Sequence, residues 1–389
     1  MFMPQLRSAA CSISRAQGSF SRFSTSVNLK DNRAIIYSSN GTPPDVLTAV
    51  SYPSLSDPSP NTVNIKYLLS PINPSDINVI EGRYVEAASR ANIGEHSDVF
   101  VAGNEALAEV IAIGDGVTEI KKGSWVVMGK EQSGTWRSQA NVRAEDLVQV
   151  PEGASEVGAA TISINPPSAY GMLSQFVDLK AGDWLIQNGA NSAVGQAVIQ
   201  IAAARGVKTI NLVRSRRDGL GALRKELYGL GATQVATYDD IAHKSFRETV
   251  KGWTKGKEIL LGLNCVGGPA ATDMARYLGN DAFLVSYGAM AKQPLALPTS
   301  LFIFKNLKSV GYSLYRPGEA YKTREGRDRV MHTLVGLMKE GKLKDPEHEI
   351  LTLEAGESNE DVSKKIRDVL VKLSEGRYGK KVLLRVEGN

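Results

Sequence analysis

Hydrophobic and polar positions change their rhythm twice along the chain. Residues 33–37 and 63–69 read as strands; in the second, Val63, Ile65 and Tyr67 alternate with Asn64 and Lys66. A Pro/Ser-rich connection, 52–60, separates them. Ser70-Pro71-Ile72-Asn73-Pro74-Ser75-Asp76 then predicts a rigid turn that opens a short helix and runs into Glu81-Gly82-Arg83-Tyr84. Residues 85–99 are polar and aperiodic, which predicts a surface insertion. From 108 to 151 short apolar runs are separated by glycine turns, the pattern of a compact β-barrel-like domain.

The period then lengthens. Residues 159–176 read as helical, with Asn165-Pro166-Pro167 expected to interrupt them. Strands predicted at 184–186, 209–213, 234–237, 259–266, 283–287 and 308–314 alternate with helices at 194–202, 220–230, 246–253 and 270–278. Such alternation predicts a parallel, doubly wound α/β sheet. The end of the chain contains a helix within 321–342, a strand at 350–353, a helix at 361–373 and a strand at 381–386. This last segment is expected to return to the first domain.

Within that order, 183–217 has the form strand, glycine-bearing turn, helix, strand. This is the phosphate-binding half of a dinucleotide fold, in which turn N–H groups and a helix N-terminus meet a pyrophosphate. The motif is loose, because Ser192 occupies a usual glycine position. An ordinary βαβ crossover would read similarly. At the end of the second strand no acid stands ready for a ribose 2′-hydroxyl. Arg214, Arg216 and Arg217 stand there instead, which suits a 2′-phosphate and hence NADPH; a solvated basic strand end is the plainer alternative.

Composition narrows the class. The 389 residues are 42% hydrophobic and 22% charged, ordinary for a globular enzyme of two domains. The net charge of +5 is spread along the chain, so anionic cofactors and acyl carriers account for it without nucleic acid. Cys11 and Cys265 can form neither a disulfide framework nor a four-thiolate zinc site. No apolar run reaches transmembrane length. The first thirty residues hold Arg7, Arg15, Arg22 and Lys30, seven serines and no acid. That composition fits a mitochondrial transit peptide over 1–27, with a matrix-processing site around Arg22-Phe23-Ser24-Thr25-Ser26.

The series Glu109-Val110-Ile111-Ala112-Ile113-Gly114-Asp115-Gly116-Val117, Lys122-Gly123-Ser124-Trp125-Val126, Gly134-Thr135-Trp136-Arg137 and Pro151-Glu152-Gly153 resembles the medium-chain dehydrogenase/reductase superfamily. Within it the chain is most similar to the mitochondrial 2-enoyl thioester reductases. The matching segments are 72–78 with 82–84, 103–105, 188–195, 263–268, 287–290 and 302–306. The resemblance implies a GroES-like catalytic domain over 28–170, a Rossmann domain over 171–314 and a return to the catalytic domain over 315–389.

Zinc-dependent relatives carry a Gly-His-Glu ligand segment where this chain has Gly103-Asn104-Glu105. No Cys lies between Cys11 and Cys265, and His96, His243, His332 and His348 share no ligand spacing, so no catalytic zinc is expected. The resemblance implies reduction of a trans-2-enoyl thioester carried by acyl carrier protein or CoA, in the mitochondrial matrix, by a homodimer. Tyr84 would be the acid that protonates Cα. Its other readings are a packed or surface aromatic. Asn165 would face the nicotinamide, and Asn191, Ser192, Ala193 and Val194 would hold the pyrophosphate. Arg214, Ser215 and Arg216 would take the 2′-phosphate. Tyr287, Gly288, Ala289 and Met290 would meet the nicotinamide, with Tyr312, Ser313, Leu314 and Lys380 completing the cofactor set. Ser313 stands where family members often have Trp. The alternatives are a zinc-free quinone oxidoreductase and a non-catalytic NADPH-binding regulatory or nucleic-acid-binding protein.

Overall fold

Strand pairing rather than helix packing organises the first third of the chain. The computed structural model describes residue 1 and residues 31–84, 89–316, 321, 323–375 and 380–388; the expected leader over 1–27 otherwise lies outside the described residues. The chain starts with β1 (Asn32–Tyr37), α1 (Pro43–Val46), β2 (Thr48–Tyr52), β3 (Thr62–Pro71) and α2 (Pro74–Ile80). It continues with β4 (Arg90–Ile93), β5 (His96–Val101), β6 (Leu107–Ile113), β7 (Trp125–Met128), β8 (Gln139–Arg143) and β9 (Leu147–Gln149). β3 is the central member: it pairs antiparallel with both β6 and β8, and β6 passes the ladder on to β7. Val63, Ile65 and Tyr67 point from it into an apolar cluster with Val110, Val126 and Leu147. The alternation seen in the sequence is therefore the inward face of this strand.

The stretch 85–99 is not a plain insertion. β4 and β5 form an antiparallel hairpin, and β5 pairs with β1 at Ile36–Val101 in a separate four-stranded sheet ordered β2-β1-β5-β4. Val99, Phe100 and Val101 bury there, and the Arg90 guanidinium lies 4.4 Å over the Phe100 ring. His96, Ser97 and Asp98 at the exposed end of β5 hide the period. Residues 85–88 lie outside the described residues.

The helical part begins with α3 (Glu156–Ala160) and α4 (Asn165–Gln175). The interruption expected at 165–167 falls just before them, over 161–164. Pro166 and Pro167 sit in the first turn of α4, where no backbone N–H is needed by the helix.

Next come β10 (Trp184–Gln187), α5 (Ala193–Ala204), β11 (Lys208–Val213), α6 (Leu220–Gly229), β12 (Gln234–Thr237), α7 (Tyr238–Ala242) and α8 (Phe246–Thr254). β13 (Ile259–Asn264), α9 (Gly268–Ala275), β14 (Phe283–Ser286), α10 (Thr299–Lys305) and β15 (Lys308–Gly311) finish this unit. Its six strands are parallel in the order β12-β11-β10-β13-β14-β15. The order reverses between β10 and β13, which opens a crevice at the carboxyl ends of the strands.

After α11 (Arg324–Lys339), the chain forms β16 (His348–Leu353), α12 (Asn359–Ser374) and β17 (Lys381–Val386). β17 pairs antiparallel with the end of β3, Leu383 against Pro71, so the last strand completes the first sheet. Arg33, fully buried on β1, fastens this return: it donates to the carbonyls of Glu354 and Glu357 at 2.7 and 2.6 Å and to the Asn359 side chain at 3.3 Å.

Candidate functional site

The crevice is built from the turn between β10 and α5. Ser192 caps α5, its hydroxyl accepting the Gly195 N–H at 3.1 Å, and Ala193 and Val194 form the first turn with N–H groups facing outward. Two glycines allow the close approach. Gly189 has φ +61°, and a Cβ there would lie 2.4 Å from the Cys265 Sγ; a Cβ on Gly195 would lie 2.7 Å from the Ala190 Cα. Around the turn runs a row of buried amides. Gln187 donates to the Gly195 carbonyl at 2.9 Å and to Asn211 at 2.8 Å. Asn188 donates to Asn264 at 2.8 Å, and Asn264 to Ser286 at 3.0 Å. These side chains tie the carboxyl ends of β11, β10, β13 and β14 together.

The predicted cofactor residues distribute around this turn. Tyr287 follows β14; its hydroxyl is buried with no hydrogen-bond partner, close to the Ser192 hydroxyl and the Cys265 thiol, and burial holds it well above the ordinary phenol range. Gly288 packs so tightly that a Cβ would lie 3.0 Å from the Cys265 carbonyl. Ala289 is exposed, and Met290 donates its N–H to that carbonyl at 2.9 Å while its side chain is exposed. The open first turn of α5, the glycine cradle and the orphaned Tyr287 hydroxyl fit a dinucleotide. Asn191 lies beside them, its carbonyl near the Gln196 amide.

Arg214, Ser215 and Arg216 are exposed beyond β11, and Ser215 donates to the Asp239 carboxylate at 2.5 Å. Tyr312 packs its hydroxyl on α4, where a Cβ on Gly171 would meet it at 2.2 Å; Ser313 is exposed and Leu314 buried. Lys380 stands directly before β17. Its ammonium is exposed and pairs with Glu347 at 2.9 Å. The neighbouring Lys381 points the other way and lines a cleft together with Asn165, Pro166 and Ala193.

Asn73, which bonds to both Asn165 and Lys381, caps the helix that runs on to Tyr84. The phenol follows α2, where Gly82 turns the chain at φ +70° and the Arg83 N–H returns to the Asn78 carbonyl at 2.8 Å. Tyr84 is 45% exposed, yet burial, Glu131 and Asp76 together hold it above the ordinary phenol range. At the head of α2 lies a polar cluster that no period in the sequence brings together. The Asn73 Oδ1 accepts from Lys381 at 2.5 Å and from Asn165 at 3.2 Å, and the Asn73 Nδ2 donates to Glu105 at 2.8 Å. The Glu105 Oε1 also accepts the N–H groups of Ser163 and Ile164 at 3.0 and 2.9 Å. Asp76 accepts the Asn73 N–H at 2.7 Å. Burial pushes Asp76 up to about 7, raises Glu105 and lowers Lys381. The available signal was the polar run 73–76 standing directly after an apolar strand.

Asn104, at the position of the zinc-ligand histidine in zinc-dependent relatives, accepts the Gln132 N–H and so pins the loop opposite. Among the described residues, no three His, Cys, Asp or Glu side chains group to hold a metal.

Comparison with known proteins agrees with this architecture. Residues 59–187 match the family model described as the alcohol dehydrogenase GroES-like domain, and 193–326 the one described as zinc-binding dehydrogenase. The chain is 41% identical over 354 residues to the mitochondrial enoyl-acyl carrier protein reductase of Yarrowia lipolytica, covering 91% of this chain and 92% of that one. Its fold superposes with a TM-score of 0.83, at 35% identity, on the mitochondrial 2-enoyl thioester reductase Etr1p/Etr2p heterodimer from Candida tropicalis, covering 91% and 99% of the chains. The Etr1p complex with NADP and crotonyl-CoA matches with the same TM-score at 34% identity and the same coverage.

The buried Asp76 makes stability depend on pH. Its carboxyl titrates near 7 in the fold but near 3.8 ordinarily. Between those values the folded protein holds a proton that the unfolded chain has lost, so this contribution to stability falls as pH rises through the window. Relative to wild type, Asp76→Asn should gain roughly 1–3 °C in Tm between pH 5 and pH 8. Thermal unfolding followed at several pH values checks it; a Tm difference independent of pH would mean that Asp76 stays ionised.

Proposed function

The chain belongs to the family of the mitochondrial enoyl-acyl carrier protein reductases, and on that premise we propose that it reduces trans-2-enoyl thioesters with NADPH. What carries the reading is one juxtaposition. Ala193 at the start of α5, Asn165 and Lys381 line a single cleft, and Asn73 connects the last two to the helix that leads to Tyr84. A phosphate-competent helix N-terminus thus shares a cleft with two side chains that Asn73 ties to the helix bearing the phenolic acid.

When bound, the nicotinamide supplies the hydride that adds to Cβ of the enoyl group. The residues of the chain do the rest. The turn N–H groups of Asn191, Ser192, Ala193 and Val194 receive the pyrophosphate at the positive end of α5. Arg214, Ser215 and Arg216 take the 2′-phosphate. Tyr287, Gly288, Ala289 and Met290, with Asn165, hold the nicotinamide end. Tyr312, Ser313 and Leu314 close the far side against α4. Negative charge that develops on the thioester oxygen makes Cα basic, and the Tyr84 phenol gives Cα its proton. A phenol held above its ordinary range stays protonated at working pH, as an acid must. Lys381, bonded to Asn73, lines the cleft, and Lys380 pairs with Glu347.

The protein is a mitochondrial reductase, and residues 1–27 act as its address for the matrix. Its substrates are carried by CoA or acyl carrier protein. It works as a homodimer through the free edge of β15 and the adjoining α10, which exposes Phe302, Ile303 and Phe304 by 41%, 67% and 78%.

Purified protein should oxidise NADPH with trans-2-hexenoyl-CoA well above background, and Tyr84→Phe should lower kcat by roughly 10²-fold or more. Background rates with enoyl thioesters, or faster turnover with quinones, would overturn the reading. Arg214→Ala combined with Arg216→Ala should raise the KM for NADPH about tenfold or more while leaving that for NADH nearly unchanged. Equal effects on both would remove the 2′-phosphate role. Protein recovered from isolated mitochondria should begin near residue 28 and sediment as a dimer, with Phe304→Asp sedimenting as a folded monomer. An intact N-terminus or a wild-type monomer would contradict the respective assignment.

A further inference from the structure

Two carboxyl groups and one ammonium meet through Asn73 at the head of α2, the helix that Tyr84 follows. Asp76 is 2% exposed and Glu105 fully buried, and Lys381 reaches both through Asn73. With all three ionised, the site would hold one uncompensated negative charge away from water, which is costly enough that a proton is retained instead. The hydrogen bonds decide where. Glu105 accepts from Asn73, from the Ser163 N–H and hydroxyl, and from the Ile164 N–H. Asp76 has the Asn73 N–H on one oxygen, with the Asn104 backbone nearby, and its Oδ1 is buried with no partner. The carboxylate with more donors keeps its charge, so the retained proton belongs to Asp76.

The same helix joins this carboxyl to the proposed acid. Asp76 lies in the first turn of α2, and Tyr84 follows the end of that helix. The groups that face Asp76 are Tyr37 from β1, Glu105 and the Asn104 backbone from the 103–106 turn, Lys381 from β17, and Tyr84 itself. We propose that Asp76 is a positioning residue whose charge, switched by this one retained proton, sets how readily Tyr84 releases its own. The inference rests on the reading of Tyr84 as the acid and deepens it.

An ionised Asp76 opposes formation of the phenolate, so Tyr84 holds its proton more tightly; a protonated Asp76 removes that opposition. Burial pushes Asp76 up to about 7, which places the switch within working pH. The Tyr84 O–H bond breaks as the C–H bond at Cα forms, and the phenolate regains a proton from solvent, to which it is 45% exposed. Asp76 exchanges no atom with substrate.

The first test needs no cofactor. Tyrosinate absorbance titrated in the free protein, taken as the difference between wild type and Tyr84→Phe, reports the Tyr84 phenol alone. Built in the Asp76→Asn background, the same difference should titrate at lower pH by about 0.5–1 unit. Coincident curves would overturn the proposal. A second measurement holds even if Asp76→Asn fails to fold. Wild-type kcat with an enoyl thioester should fall roughly twofold to fivefold as pH rises through about 7, and the residual rate of Tyr84→Phe should not. The same inflection in Tyr84→Phe would show that the charge acts elsewhere. Wild type inactive on enoyl thioesters would instead defeat the reductase reading, a result distinct from either outcome.

Discussion

The amide of Asn73 is the constraint on which the rest of the molecule depends. One side chain receives a lysine from the last strand and an asparagine from the start of α4, and donates to a buried carboxylate from the turn before β6. Its own N–H holds Asp76 at the head of α2. Four segments remote in sequence thus meet at one polar group. Each of the charged partners would be strongly unfavourable in this interior alone, since a buried carboxylate or ammonium must be paired and hydrogen-bonded to remain. The folding of the first domain and the placement of Tyr84 are therefore a single problem. The chain must bring β17 back to β3 before Lys381 can balance Glu105, and only then is the floor at the head of α2 in place.

The opposite wall of the cleft uses a different principle. Around the β10–α5 turn, position is fixed by backbone proximity and neutral amides, with no buried charge. Gly189 and Gly195 let the helix sit where any side chain would collide, and the Gln187, Asn188 and Asn264 amides hold the strand ends in register. A neutral frame leaves the positive end of α5 as the dominant local field, the condition under which it favours an anion. The charged floor and the neutral wall meet at Asn165, which lines the cleft and bonds to Asn73.

Much of this was legible in the sequence wherever a period dominates. The alternation of β3 and the βα succession from 184 to 311 are consequences of burying one face or both, and the pattern states which. The hairpin of β4 and β5 was hidden because its tip is solvated on both sides, so polarity masks pairing. The floor of the site was hidden for the opposite reason: Asn73, Asp76 and Glu105 are polar but buried, and polarity in a single sequence ordinarily signals exposure. Lys380 and Lys381 show how sharp the limit is. Successive residues leading into a strand point to opposite faces, so an offset of one residue exchanges a solvated ion pair with Glu347 for a lysine in the cleft.

A floor built from charges is not the most stable solution available. Apolar side chains of similar volume would fill the same space without the desolvation penalty, as buried ion pairs generally allow. The cluster therefore has to be accounted for by its position. It stands between a cleft that suits an anionic cofactor and the half-exposed phenol proposed here as the acid. An apolar floor could hold Tyr84 in place, but it would leave the phenol responding only to its own burial and to Glu131. A floor with two carboxyls and one ammonium gives the phenol a nearby charge that can be present or absent, set by one proton. In this arrangement stability and acid strength draw on the same carboxyl, and Asp76 is where the two requirements conflict.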